Sequence, residues 1–130
     1  MNLQPLNEFQ NFNETLPSPI IRIINLEKIY RIGSIEVHAL KGINLSINKG
    51  EFIAVIGPSG CGKSTFLNLL GALDKPTKGK IIVDGVEITR LTDKQLAKFR
   101  NLKVGFIFQS YNLINRSSVL KNVELPAIVS

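Results

Sequence analysis

The run GPSGCGKST, Gly57 to Thr65, constrains this chain more than any other stretch. It reads as glycine, four residues, glycine, lysine, then serine or threonine. That is the template of a loop that cradles phosphate between a buried strand and a helix. Both neighbours are legible. Phe52–Ile56 (FIAVI) is a short, continuous apolar run rich in β-branched residues, the pattern of a strand buried on both faces. After Gly62, the run KSTFLNLLGAL sets Phe66, Leu69, Leu70 and Leu73 at helical spacing, and Lys75-Pro76 closes it.

Each residue type in the loop suits an anion. Gly57, Gly60 and Gly62 are expected to take backbone conformations closed to other residues and to let a ligand approach closely. Successive N–H groups then point into one concavity, to which the N-terminus of the helix starting near Gly62 or Lys63 adds its unpaired donors and dipole. Lys63 supplies a mobile cation for the outer phosphates, and the Ser64 hydroxyl is a magnesium ligand. Thr65 either touches phosphate or starts the helix. The candidate site takes in Pro58, Ser59 and Cys61 as well. For Cys61, a redox switch and a small side chain that fills the loop are both open, with the second preferred. A magnesium-bound triphosphate is the expected ligand.

Composition sets wider bounds. A chain of 130 residues with 44% hydrophobic and 20% charged side chains is at most one globular domain. No apolar run approaches the roughly 18 residues that span a bilayer, and no signal peptide opens the sequence. One cysteine precludes an internal disulfide and suits a reducing cytosol, so the expected location is cytoplasmic. The net charge of +6 gathers between Lys75 and Lys103, but Asp84, Glu87 and Asp93 interleave with the lysines. That pattern reads as a solvated surface with no direct nucleic-acid contact. His38, the single histidine, has no partner residues for a metal site.

Along the chain, residues 1–20 read as a polar, proline-containing flexible tail. Ile20–Tyr30 and Val37–Ile47 read as strands around a glycine-centred turn, the second with one wet face through the alternation Ile43, Leu45, Ile47. Lys80–Val83 and Val86–Ile88 flank Asp84-Gly85, a two-residue hairpin turn. Thr92 is expected to cap a helix running to Arg100, Val104–Phe108 (VGFIF) to form another buried strand, and Ser117 or Ser118 to cap a last helix stopped near Pro126.

The order Tyr30, GPSGCGKST, KPTKGKIIVDG (Lys75–Gly85), GFIFQSYNLI (Gly105–Ile114) and NVELP (Asn122–Pro126) resembles the ATP-binding cassette (ABC) ATPases of membrane transporters, from about Ile21 to Ser130. Within them it is most similar to the ATPases of lipoprotein-releasing and macrolide-exporting systems. The resemblance implies an α/β fold, an incomplete P-loop NTPase core with an antiparallel β subdomain, and the cofactors ATP and Mg2+. Tyr30 matches the aromatic residue that stacks on adenine there. A π-face holds a purine without hydrogen bonds, so Tyr30→Phe is expected to be nearly silent. Val37 matches an aliphatic neighbour of the nucleotide. Gln109 matches a glutamine that reaches Mg2+ and the attacking water, in a loop that senses the transmembrane partner. The implied partners are a transmembrane permease subunit and a second copy in a homodimer, with the ATPase peripheral on the cytoplasmic face of the inner membrane.

Some of the family's pattern has no match. An LSGGQ-type motif, an apolar strand ending in Asp-Glu (Walker B) and a switch histidine are not found, and Asp84 is rejected as the magnesium-binding acid because Gly85 follows it in a hairpin. Residues 21–130 therefore read as the N-terminal part of an ABC ATP-binding domain. Two functions stay open: part of an ATPase that energises export or lipoprotein release, or a truncated fragment that binds nucleotide without hydrolysis. A GTPase is disfavoured, because no Asn/Thr-Lys-x-Asp base-reading motif occurs.

Overall fold

Four antiparallel strands, two of them long, carry the fold in the computed structural model, which describes residues 18–128. All but the last three residues of the expected tail lie outside that range. The strands β1 (Ile21–Ile32) and β2 (Ile35–Ile47) form a hairpin around Gly33-Ser34. The ladder then continues through β3 (Lys78–Val83) to the short β4 (Val86–Glu87), giving the order β2-β1-β3-β4. Asp84 and Gly85 both have positive φ (49° and 77°), as the tight turn between β3 and β4 requires. The alternation in β2 holds: Asn44 and Ser46 face water, while Ile43, Leu45 and Ile47 turn inward.

One face of this sheet is covered by helices. After the glycine loop comes α1 (Lys63–Leu70), three residues shorter than its apolar spacing suggested. It ends at Gly71 because the chain there turns away, and Leu73 is exposed. Phe66 and Leu69 of α1 pack with Ile23 and Leu26 of β1, Leu40 of β2 and Ile81 of β3. A 3-10 turn (Ile88–Arg90) follows β4 and leads to α2 (Asp93–Lys103), which adds Leu96 and Phe99 to the same core. Thr92 caps α2 as expected, in a capping box with Gln95. The guanidinium of Arg100 donates to the carbonyl of Ala72 at 2.8 Å, tying α2 to the end of α1.

Part of the basic surface is paired. Lys75 meets Asp93 at 2.6 Å, Arg90 meets Glu87 at 3.0 Å and Lys103 meets Asp84 at 2.6 Å, so Asp84 is engaged at the hairpin.

Three expectations are corrected. Phe52–Ile56 and Val104–Phe108 are not strands; both are unpaired among the described residues. A strand exists only where a neighbour accepts its hydrogen bonds, however apolar its composition. Phe52, Ile56 and Ile107 are almost wholly exposed, and Phe106 stacks on Phe108 at 5.3 Å between centroids. The last helix, α3 (Val119–Ile128), runs through Pro126 instead of stopping there. Ser118 caps it, its Oγ accepting from the Lys121 N–H at 3.3 Å, and Pro126 has no N–H with which to continue the helical ladder.

Candidate functional site

The loop reaches its position because Gly62 has no side chain. Its φ of 96° and ψ of 6° start α1 from the left-handed region. A Cβ there would lie 2.5 Å from the Ala39 carbonyl oxygen and 3.0 Å from Cδ2 of Leu40. The loop thus rests directly on the backbone of β2. Gly57 has a different reason for being glycine from the one expected. Its φ is not positive; instead a Cβ would meet the Cys61 sulfur at 2.6 Å. The Cys61 sulfur thus lies against Gly57, while the side chain remains exposed.

Lys63 is folded back onto the loop. Its Nζ donates to the carbonyl oxygens of Gly57 (2.8 Å) and Pro58 (2.7 Å) and lies 3.7 Å from the Cys61 sulfur. The ammonium is thereby held at the mouth of the helix N-terminus, where an anion is best stabilised. Ser64 is exposed on the first turn of α1. Thr65 does not start the helix, which begins at Lys63; it is the third helical residue and lines the cleft beside it.

That cleft, about 500 Å³ in volume, brings two distant stretches together: Tyr30, Val37, His38 and Ala39 from the β1–β2 hairpin, and Ser59, Gly60, Gly62, Lys63, Ser64 and Thr65 from the loop and α1. Tyr30 and Val37 are direct partners in the ladder, which explains why both reach it. His38 and Ala39 escaped the sequence reading. Counting back from the Gly33-Ser34 turn, where Ile32 opposes Ile35, would have placed Val37 opposite Tyr30 and His38 beside it. Gly57, Pro58 and Cys61 belong to the loop without lining the cleft. Gln109 is exposed beyond α2 and is not among the lining residues.

Tyr30 is anchored at its far end. Its hydroxyl donates to Oδ2 of Asp74 at 2.9 Å. Lys28 Nζ donates to the other oxygen of that carboxylate at 2.7 Å and to the Lys75 carbonyl at 2.7 Å. The same ammonium sits 4.9 Å from the centre of the Tyr30 ring. Partial burial works to raise the Asp74 carboxyl, but hydrogen bonds from Lys28, Tyr30 and the Lys75 N–H, with the Lys28 charge, outweigh it and hold the group below the ordinary aspartate range.

A family profile described as ABC transporter matches residues 40–129. The chain is 50% identical over 109 residues to an uncharacterised ABC transporter ATP-binding protein of Thermotoga maritima, covering 84% of this chain and 47% of that protein. It is 45% identical over 112 residues to the lipoprotein-releasing system ATP-binding protein LolD of Colwellia psychrerythraea, covering 86% of this chain and 43% of that one. Among solved structures, the dimeric bacterial ABC transporter cassette MJ0796, from Methanocaldococcus jannaschii, superposes with a TM-score of 0.78 at 48% identity, over 83% of this chain and 47% of that chain. A post-hydrolysis structure of the same cassette, titled as bound to ADP and Pi, gives the same TM-score of 0.78. The fold is thus part of the α/β phosphate-loop fold of these cassettes, with its antiparallel β subdomain. The chain spans about half the length of the relatives it matches.

Proposed function

The chain belongs to the ABC transporter family, and we propose that it holds a magnesium-bound adenine nucleotide between its β hairpin and its glycine loop, as the ATP-binding part of a transporter. One observation carries this reading: a single cleft joins an aromatic residue, Tyr30, to the cationic loop at Lys63 and the start of α1. The phosphates would lie on the N–H groups and Lys63, and the base on Tyr30 beside Val37. The MJ0796 structure titled as bound to ADP and Pi supports an adenine nucleotide as the ligand.

Magnesium fits the residues present as a companion of the phosphates. Among the described residues no group of three or more His, Cys, Asp or Glu side chains gathers to hold an ion. The Ser64 hydroxyl offers one hard oxygen in the cleft, and the phosphates and water would supply most of the shell. The ion would neutralise phosphate charge there. Gln109 is proposed as a further oxygen on the strength of the resemblance.

In the whole transporter we propose a dimer of such cassettes seated on a transmembrane permease subunit at the cytoplasmic face of the membrane. The substrate would be a lipoprotein or a small hydrophobic compound. Relatives named for lipoprotein release and for macrolide export as an ATP-binding/permease protein support these classes. Binding without turnover is the second reading. It is favoured by the lack of any Asp-Glu dipeptide in the 130 residues and by the position of Gln109 outside the cleft.

Titration of the purified chain with a fluorescent ATP analogue tests the site. Lys63→Ala removes the one full positive charge that the loop offers. It should weaken binding by about 10-fold or more, the scale of a charged hydrogen bond. Equal affinities for the two proteins would remove the phosphate-loop assignment.

A further inference from the structure

The base platform is held by a connector that starts at the far end of the phosphate helix. β1 pairs with β3 only as far as Glu27, opposite Lys78. Beyond that point the edge of β1 is stitched by residues 74–77 instead. The Thr77 N–H donates to the Glu27 carbonyl at 2.9 Å, and the Ile29 N–H donates to Oγ1 of Thr77 at 2.9 Å. Asp74 then takes the Tyr30 hydroxyl on one carboxylate oxygen and Lys28 on the other. The connector leaves α1 under control as well: the Leu73 N–H donates to the Asn68 carbonyl at 2.8 Å, one residue before Asp74.

We propose that Asp74 and Lys28 are positioning residues for the base. They fix the Tyr30 ring over the phosphate loop, Asp74 through the hydroxyl and Lys28 by lying over one face of the ring, so that a flat purine has the opposite face to stack on. The proposal rests on the reading that Tyr30 stacks on the base and deepens it. It also revises the expectation that the hydroxyl is idle. A phenol held at its hydroxyl has little freedom to swing, and an ammonium against one face restrains its tilt before the ligand arrives. Less side-chain entropy is then lost on binding. An ammonium over one face also draws electron density through the ring, which favours an electron-rich purine on the other.

Two ligands separate this device from the rest of the site: ATP, which has a base, and inorganic tripolyphosphate, which has none. Calorimetric titration of the full chain with each gives an affinity ratio that reports the base alone. Asp74→Ala and Tyr30→Phe should each lower that ratio by about 3- to 10-fold, the scale of one lost hydrogen bond. Tripolyphosphate affinity should be unchanged, and the double variant no worse than either single one. Asp74→Asn, which keeps an oxygen for the hydroxyl, should recover part of the ratio. Tyr30→Phe deletes only an exposed hydroxyl, so it keeps the test open even if Asp74→Ala does not fold. A ratio that falls in Tyr30→Ala but not in Tyr30→Phe overturns the clamp and leaves the stacking reading standing. A ratio unmoved even by Tyr30→Ala overturns both.

Discussion

Replacing Gly62 with alanine should damage this protein out of proportion to one methyl group. The residue sits at φ 96°, where an L side chain costs roughly 1–2 kcal/mol in backbone strain alone. The added Cβ would then lie 2.5 Å from the Ala39 carbonyl oxygen. That atom is backbone, so relief requires the loop to lift off β2 or β2 to bend. Leu40, the next contact at 3.0 Å, is a core residue and has little room to move. Adding a clash of that kind to the strain gives a destabilisation of about 2–4 kcal/mol, in the upper part of the range for single substitutions. Gly60→Ala is the internal control. Its φ of 79° carries similar strain, but nothing lies within 4 Å of its missing Cβ, so it should cost about 1–2 kcal/mol. Urea unfolding followed by circular dichroism measures both midpoints. If the two variants lose equal stability, then close contact between the loop and β2 is not what demands glycine at position 62, and the account of how the loop is seated is wrong.

The three tests that remain concern surface, acid and chemistry. Phe52→Ser and Ile107→Ser remove side chains that are 96% and 102% exposed; each should shift stability by less than about 0.5 kcal/mol while raising solubility, read by turbidity at high concentration. For pH, the sign follows from carboxyls held below their ordinary range: Asp74, for the causes given above, Asp84 by its hydrogen bond from Lys103, and Asp93 by its hydrogen bond from Lys75. The stability they add is present above an unfolded aspartate pKa of about 4 and is lost as pH falls through their lowered values. The gap in melting temperature between the unmodified chain and Asp74→Asn should therefore narrow below that pH, and a constant gap would contradict it. Finally, the 130-residue polypeptide should bind Mg-ATP but release no phosphate above background, because no Asp-Glu pair is available to polarise water; steady release that Lys63→Ala abolishes would refute this.

What could be read from the sequence, and what could not, divides along how far each residue must look for its partner. Asp84-Gly85 forms its turn from backbone preferences two residues long, and Thr92 meets Gln95 within one helical turn, so both were legible. The glycine loop was legible for the same reason, since its chemistry lies within nine consecutive residues. Asp74 carries no motif. It reaches Tyr30 across 44 residues, and only the stitching of the connector to β1 makes it part of the site. The two failed strands show the same rule from the other side. Phe52–Ile56 and Val104–Phe108 have the composition of buried strands, and composition records the environment in which a segment is stable. It does not say which segment provides that environment. β1, β2, β3 and β4 find their ladder partners between Ile21 and Glu87, each strand beside one that the chain supplies nearby. The two apolar runs find none among the described residues. In a chain that spans about half the length of its relatives, the same two runs combine strand composition with exposed side chains. The sheet that carries Tyr30 is built from ladders between neighbouring strands, whereas the strand expected before the phosphate loop has no such neighbour among the described residues.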